Sequence, residues 1–509
     1  MKRMLASDGI NYWSNQPFLN RMRAAGKMTS ANAPAKAGEA VAYYLAPLVG
    51  DEGREMVLTW EGDGVLDIGV EKKAATRNRI DFTAATPASW PMVIVRSGKP
   101  TNIRIVPKGQ EALTQTFKPE YVADVRGFVA WRAMDFLDTN ASLADFLPIH
   151  PAAEGYGDRG SVAEVVELCN AAGVRPWISF PHLVTDASIA ETVACVEAQS
   201  ILPAIFEYSN ETWNWQFVQT KYAHDQGPDN PNGWIGAQIA RLLRATKGKR
   251  AGVAQCGQFV NMWHTDMQFQ GIRDAGCDPN DLEIVSATSY VSSDFNDYGK
   301  NPDLAWGYAQ RGDAKGALAY ILAGIPKYRE QMRDCVKRAT SVGAEYWAYE
   351  GGMWHLNANG SAHDWETLRA FYYDMQMHPD ADGVLAAYDE AFVAEGGAVQ
   401  PLYNYATPST AFGFFGATLQ PVWKRIRAEL DAAIAPVVTP APMPAPAPLP
   451  DASPAPAPEP APVPAAPTPA PPPAAAKVTK EQIYTAIRAA RSSLSSVETL
   501  VKAYKGQAL

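Results

Sequence analysis

The sequence is poor in cysteine, in long apolar runs and in concentrated positive charge, and each shortage excludes something. Five cysteines (Cys169, Cys195, Cys256, Cys277 and Cys335) are scattered over 509 residues without a CxxC pair. An odd and dispersed set makes a poor disulfide framework, so they read as buried or free thiols. No apolar run reaches the roughly 18 residues of a membrane-spanning helix, so no membrane insertion is expected. The opening MKRMLASDGINYW has early charge but no apolar h-region; no signal peptide and cytoplasmic synthesis are expected. Lys and Arg number 45 against 54 Asp and Glu, for a net charge of −9, and form no basic block, which argues against a nucleic-acid partner. The glycine-rich dinucleotide fingerprint and the phosphate-cradling P-loop are absent. No cofactor and no metal is implied: His264, Asp266, His355 and His363 fall at spacings that match no compact ligand motif.

What is present is organised in blocks. From Pro436 to Pro473 the chain is nearly all Pro and Ala and holds 18 of its 40 prolines, a semi-rigid spacer over 436–476. Beyond it, 477–509 has Thr479 and Gln482 at capping-box spacing. Ile483, Ile487, Ala490, Leu494, Val497, Val501 and Tyr504 then trace a heptad seam. Such a helix cannot bury its stripe alone, so it reads as a tether to a protein partner or a self-association element. Between 38 and 110 short alternating runs (EMVLTWEG, VLDIGV, WPMVIVRSG, TNIRIVPKG) separated by Gly, Pro and Asp predict a small antiparallel β-sandwich. Over 111–435 strand-like runs alternate with helical ones, which predicts an α/β fold with a parallel sheet, either open or closed into a barrel. In a barrel, 1–37 supplies the first βα unit and 38–110 is an insertion.

The ends of the predicted strands carry the chemistry. They offer Arg132 and Asp135, then His182 after WISFP, Asn210 and Glu211 after IFEYS, Tyr290 after SAT, and Glu350 after YWAY. Each has a bland reading: Arg132–Asp135 as a structural ion pair, His182 as a core histidine, Asn210 as a helix cap. Their shared position at one end of a sheet favours a site. Glu211 follows an amide and precedes Trp213 and Trp215; Glu350 follows Tyr349 and precedes two glycines. Two carboxyls in unlike surroundings suit glycosidic cleavage, in which one donates a proton and the other attacks the anomeric carbon. Aromatic walls would raise the donor's pKa, and a cation such as Arg132 would keep the nucleophile charged.

These residues resemble the retaining glycoside hydrolases of clan A, the large (β/α)8 clan, with Asn-Glu ending the fourth strand and Glu the seventh. The chain is most similar to bacterial and phage-encoded glycoside hydrolases with a β-rich insertion after the first strand. It shares DGINYWSNQPF (8–18), which would open that strand, RAMDFLDTN (132–140), SNETWNW and YEGGMWH. The resemblance implies a (β/α)8 TIM barrel acting on an oligo- or polysaccharide. Glu211 would be the acid/base and Glu350 the nucleophile. Asn210 would bond the sugar 2-hydroxyl, Tyr290 would bond Glu350, Arg132 would lie near it, and His182 would line the floor beside Glu211. Trp213, Trp215 and Trp354 are stacking candidates, and His355 is a further substrate-binding candidate. The eighth strand departs from the pattern, offering Tyr403, Tyr405 and Phe412 where a Trp is expected. Linker and heptad helix suggest mounting on a larger assembly, such as a phage tail or virion particle. The competing expectation is a carbohydrate-binding or structural module on an inactive barrel.

Overall fold

The computed structural model describes residues 1–6, 18–24, 26–28, 41–45, 48, 51–68, 78–85, 92–143, 160–259, 262–291, 302–352, 363–402 and 421–434. The chain separates into two units, Met1–Val438 and Thr439–Leu509, and the described residues belong to the first. The spacer, the heptad segment, Trp354, His355, Tyr403, Tyr405 and Phe412 lie outside them.

The first strand, β1, is Lys2–Ala6, ahead of the 8–18 motif that was expected to open it. The chain then builds β2 (Gly26–Met28), β3 (Val41–Tyr44), β4 (Glu55–Glu61), β5 (Val65–Ile68), β6 (Arg79–Thr83), β7 (Met92–Ser97) and β8 (Thr101–Pro107). These pair antiparallel in two sheets, β2-β3-β7-β5 and β6-β4-β8. Met56, Leu58 and Ile105 from one sheet share an apolar core with Leu66, Ile68 and Val93 from the other. The first sheet begins at Gly26, inside the stretch assigned from sequence to the first βα unit.

The parallel strands follow: β9 (Ala130–Arg132), β10 (Arg175–Phe180), β11 (Ala204–Tyr208), β12 (Ala251–Gly257), β13 (Ile284–Tyr290), β14 (Glu345–Gly352) and β15 (Val399–Leu402). Each pairs parallel with its sequence neighbour, and β1 closes the ring between β15 and β9. The result is a closed eight-stranded (β/α)8 TIM barrel carrying an inserted antiparallel unit.

Alternation along each strand sorts the two cores. On β11, Ala204, Phe206 and Tyr208 face the surrounding helices, while Ile205 joins Met4, Trp177, Ile284, Trp347 and Tyr349 inside the barrel. Helices start and stop on local signals. Ser161 and Glu164 form a reciprocal capping box for Val162–Ala172, which ends at left-handed Gly173. That helix also anchors the segment entering the insertion, because Arg23 Nε and Nη2 donate to Glu164 at 2.6 and 2.8 Å. Nearby, Arg21 donates to both oxygens of buried Asp51 at 2.7 and 2.9 Å. Burial works to raise Asp51, but the Arg21 fork prevails and holds its pKa below the ordinary aspartate value. No helix among the described residues is long and apolar enough to cross a membrane.

Candidate active site

Five of the sequence-predicted residues converge at the C-terminal end of the barrel strands. The chain leaves β11 through Ser209 and Glu211, both left-handed at φ 59° and 43°. Non-glycine residues rarely adopt this conformation, and it costs of order 1 kcal/mol at each position. After this kinked exit Asn210 Oδ1 meets Arg132 from β9. Thr220 secures the next turn through the carbonyls of Asn214 (2.7 Å) and Glu211 (3.2 Å). Asn214 Nδ2 donates to Glu211 Oε2 at 2.8 Å.

On the opposite wall, β13 and β14 lose register between Ala287 and Thr288, so that Thr288 pairs with Glu350 and Tyr349 is the extra residue. Strict alternation would send Tyr349 and Glu350 to opposite faces; the bulge lets both serve the site. The Tyr349 ring lies 4.9 Å from Arg132 Cζ and its hydroxyl accepts from Trp213 Nε1 at 3.3 Å. The Tyr290 hydroxyl and the Glu211 carboxyl both act on Glu350, the first favouring its charge and the second opposing it. Two acids 139 residues apart in sequence therefore meet across the barrel mouth.

Both carboxyls are harder to ionise than usual. Burial raises Glu211, against the Asn214 amide and the charge of Arg132. Burial raises Glu350 well above the usual range, reinforced by Glu211, while Arg132 and the Tyr290 hydroxyl pull it back. Like charges this close cannot both form readily, and the Glu211 charge adds to the burial that raises Glu350.

Arg132 acts on Glu350 but is bound elsewhere. Its partner is Glu207, not Asp135: Nε and Nη2 donate to the two Glu207 oxygens at 2.8 Å each, and Nη2 also donates to Asn210 Oδ1 at 2.9 Å. Burial opposes the guanidinium charge, and Glu207 more than restores it, holding Arg132 well above the ordinary arginine range. The cation expected to keep Glu350 ionised is thus already matched by a carboxylate one layer below. Glu207 also accepts from Trp177 Nε1 (2.8 Å) and Ser179 Oγ (2.6 Å), with the Cys256 thiol in hydrogen-bonding reach. The signal was present in the sequence: Glu207 is the one charged residue in the apolar strand Ala204–Tyr208, four positions before Glu211.

Asn210 is clamped from both sides, with Nδ2 donating to Asn140 Oδ1 at 3.1 Å and its carbonyl accepting from Gln219 Nε2 at 2.7 Å. His182 is buried, with its ring 5.1 Å from Tyr222, and burial alone lowers its pKa. Its engagement is with Tyr222 and not with either acid. Trp213 is half-buried, and Trp215 is 67% exposed. Arg132 Nη1, Glu350 Oε2, Ser209 Oγ and His182 Nδ1 are buried with no hydrogen-bond partner among the described residues. Unpaired polar atoms at a strand-end mouth are groups that a hydroxyl-rich ligand could satisfy. Among the described residues no cluster of His, Cys, Asp and Glu could hold a metal ion.

Searches of protein-family models and of curated sequences return no match. Among solved structures, the chain is similar to the xylohexaose-bound CBM22–GH10 modules of a Clostridium thermocellum endo-1,4-β-D-xylanase (10% identity, 82% of this chain, 97% of that one, TM-score 0.38). A family 51 α-L-arabinofuranosidase from Bifidobacterium longum matches at 11% identity over 55% of this chain and 58% of that one, with a TM-score of 0.34. A fungal β-1,4-galactanase matches at 11% identity over 56% and 81%, with a TM-score of 0.28. These likenesses are of the fold and assign no residue.

Proposed function

We propose that the protein is a retaining glycoside hydrolase that cleaves an oligo- or polysaccharide by double displacement. The observation that carries this reading is the pair of carboxyls, half-buried Glu211 and buried Glu350, set at the ends of β11 and β14, with Glu350 feeling the charge of Glu211. Double displacement needs the two carboxyls about 5–5.5 Å apart, against about 6.5–9.5 Å where a water must fit between them, and the influence of the Glu211 charge on Glu350 supports the shorter arrangement.

In the mechanism, Glu211 protonates the glycosidic oxygen and Glu350 attacks the anomeric carbon. The resulting glycosyl ester is hydrolysed by water that Glu211 deprotonates. This needs a proton on Glu211 when sugar is bound. Burial of Glu350 favours the opposite placement, while the Tyr290 hydroxyl and Arg132 favour the required one. A sugar that bonds Asn210 and separates the two acids would leave Tyr290 to hold Glu350 as the anion. The segment 477–509 then serves as a tether that mounts the enzyme on a larger, phage tail-like assembly.

The test is hydrolysis of a glycan panel with proton NMR of the first-formed anomer. Retention of configuration, lost in both Glu211→Gln and Glu350→Gln, supports the reading. Inversion would sink it, as would activity surviving in either variant.

A further inference from the structure

The helix Ala314–Ser341, between β13 and β14, runs for 28 residues and carries two apolar faces. On the first, Leu318, Ile321, Ile325, Tyr328, Met332 and Cys335 recur every three or four residues and are buried in the main core. The second is turned to solvent, with Lys315, Ala319, Leu322, Ala323, Pro326 and Glu330 all exposed. These positions also step by three and four, so they share one side of the helix. A solvent-facing helix side is ordinarily polar. Here four apolar residues follow one another along it, and Leu322 is 44% exposed. Pro326 is the poorest of helix formers, so helix propensity does not account for the stripe.

The order of charge along this side is what selects a partner. Its midpoint falls between Leu322 and Ala323, with Ala319 and Pro326 at equal distances on either side, and Lys315 and Glu330 at equal distances beyond them. At 1.5 Å per residue Lys315 and Glu330 stand about 22 Å apart, too far to pair within one helix. Neither has a hydrogen bond or ion pair among the described residues. The neighbouring cations differ: Arg329 and Arg333 are committed to Glu395 at 2.5 and 3.1 Å. Positive, apolar, negative in one direction is negative, apolar, positive in the other, so the stripe is complementary to its own reverse. Under a two-fold axis residue i meets j wherever j meets i, which sets Lys315 against Glu330 twice, Ala319 against Pro326 and Leu322 against Ala323. Small residues opposite larger ones let two such helices approach to about 8 Å at a shallow crossing of about 20°.

We infer that this side of Ala314–Ser341 is a self-association surface, on which a second copy of the chain docks antiparallel about a two-fold axis between Leu322 and Ala323. The inference is independent of the hydrolase reading. The test is sedimentation velocity of the full chain over about 1–100 µM, the range in which a small interface associates. The wild type should pass from monomer to dimer within it. Leu322→Asp should weaken the dimer at least about tenfold, with the far-ultraviolet circular dichroism of the monomer unchanged. Lys315→Glu and Glu330→Lys should each weaken it about 5- to 20-fold by setting like charges opposite one another. The double variant Lys315→Glu/Glu330→Lys should regain wild-type association, because opposite charges then face each other again.

A wild type that stays monomeric across the range overturns the inference. Association that survives Leu322→Asp overturns it too, since the contact then lies elsewhere, for instance in 477–509. Single charge reversals that weaken the dimer, with no recovery in the double variant, refute the antiparallel pairing of Lys315 with Glu330.

Discussion

Arg175, at the start of β10, gives both ends of its fork to Glu283 at 2.5 and 2.9 Å and sits 5.8 Å from the Trp347 ring, whose Nε1 donates to Glu345. Arg132, at the end of β9, also grips a carboxylate with two nitrogens, yet its third is buried and has no partner among the described residues. The same contrast runs around the ring. The entry end of the strands is half-exposed, charge-matched and closed by Trp177 against Trp347 at 6.2 Å. The exit end carries left-handed non-glycine residues, a bulge and two carboxyls raised by burial. Barrels divide labour in this way: the lower face satisfies itself and stabilises, and the upper face keeps groups unsatisfied for a ligand.

The sharpest way to break this comparison is to neutralise a carboxyl at each end. Glu211→Gln or Glu350→Gln should lower hydrolysis by at least about 10⁴-fold, as removal of a catalytic group does. Glu283→Gln, at the entry end, should leave the rate unaltered. Initial rates on the most active glycan of the panel decide it; equal losses at the two ends would erase the distinction.

Stability should show the next largest asymmetry. Arg132 and Glu207 are both fully buried, so Glu207→Leu strands a buried cation and should cost about 3–5 kcal/mol in urea unfolding. The Arg132→Met/Glu207→Leu double variant should regain most of that while remaining inactive. Arg175 and Glu283 are 18% and 37% exposed, so Arg175→Ala should cost no more than about 1 kcal/mol.

This asymmetry also explains what could be read in advance. The strand–helix alternation, the inserted sheets and the position of Asn210, Glu211, Tyr290 and Glu350 at strand ends were legible because strand ends are marked by polar residues after β-branched or aromatic runs. Glu207 was missed because a barrel interior inverts the usual rule: an inward-facing strand residue can be charged if another strand brings its partner, here 75 residues away. The bland pairing of Arg132 with its near neighbour Asp135 overlooked Glu207 for the same reason. The bulge at Tyr349 was invisible, since register slips are set by the neighbouring strand rather than by local sequence. The first strand was displaced because Lys2–Ala6 is only five residues long and begins with two basic ones.

The pH dependence separates the two ends more finely. Because burial raises Glu211 and Glu350 above their unfolded values, ionising them opposes folding. Their contribution to stability is fully present below the unfolded pKa and is lost as pH rises through the folded one. Glu350→Gln removes that loss. The variant should melt with the wild type near pH 4 and above it at neutral and alkaline pH, by on the order of 0.5–2 kcal/mol. Melting curves from pH 4 to 9 that stay parallel would mean the mouth carries no buried-charge penalty.

The smallest effect isolates backbone strain. Ser209 at the mouth and Gly343 at the entry end share a left-handed conformation, φ 59° and 70°. Open space surrounds a Cβ built on Gly343, so Gly343→Ala pays only the conformational penalty and should destabilise by about 1 kcal/mol. Ser209→Gly goes the other way: it relieves a strained residue and removes a hydroxyl buried without a partner, offset in part by the added freedom of the unfolded chain. A gain of up to about 1 kcal/mol is expected, together with slower hydrolysis because Asn210 and Glu211 are aimed less firmly. If Ser209→Gly lost stability and kept full activity, the kinked exit from β11 would be an ordinary turn, and the strain at the mouth would have no part in positioning the acids.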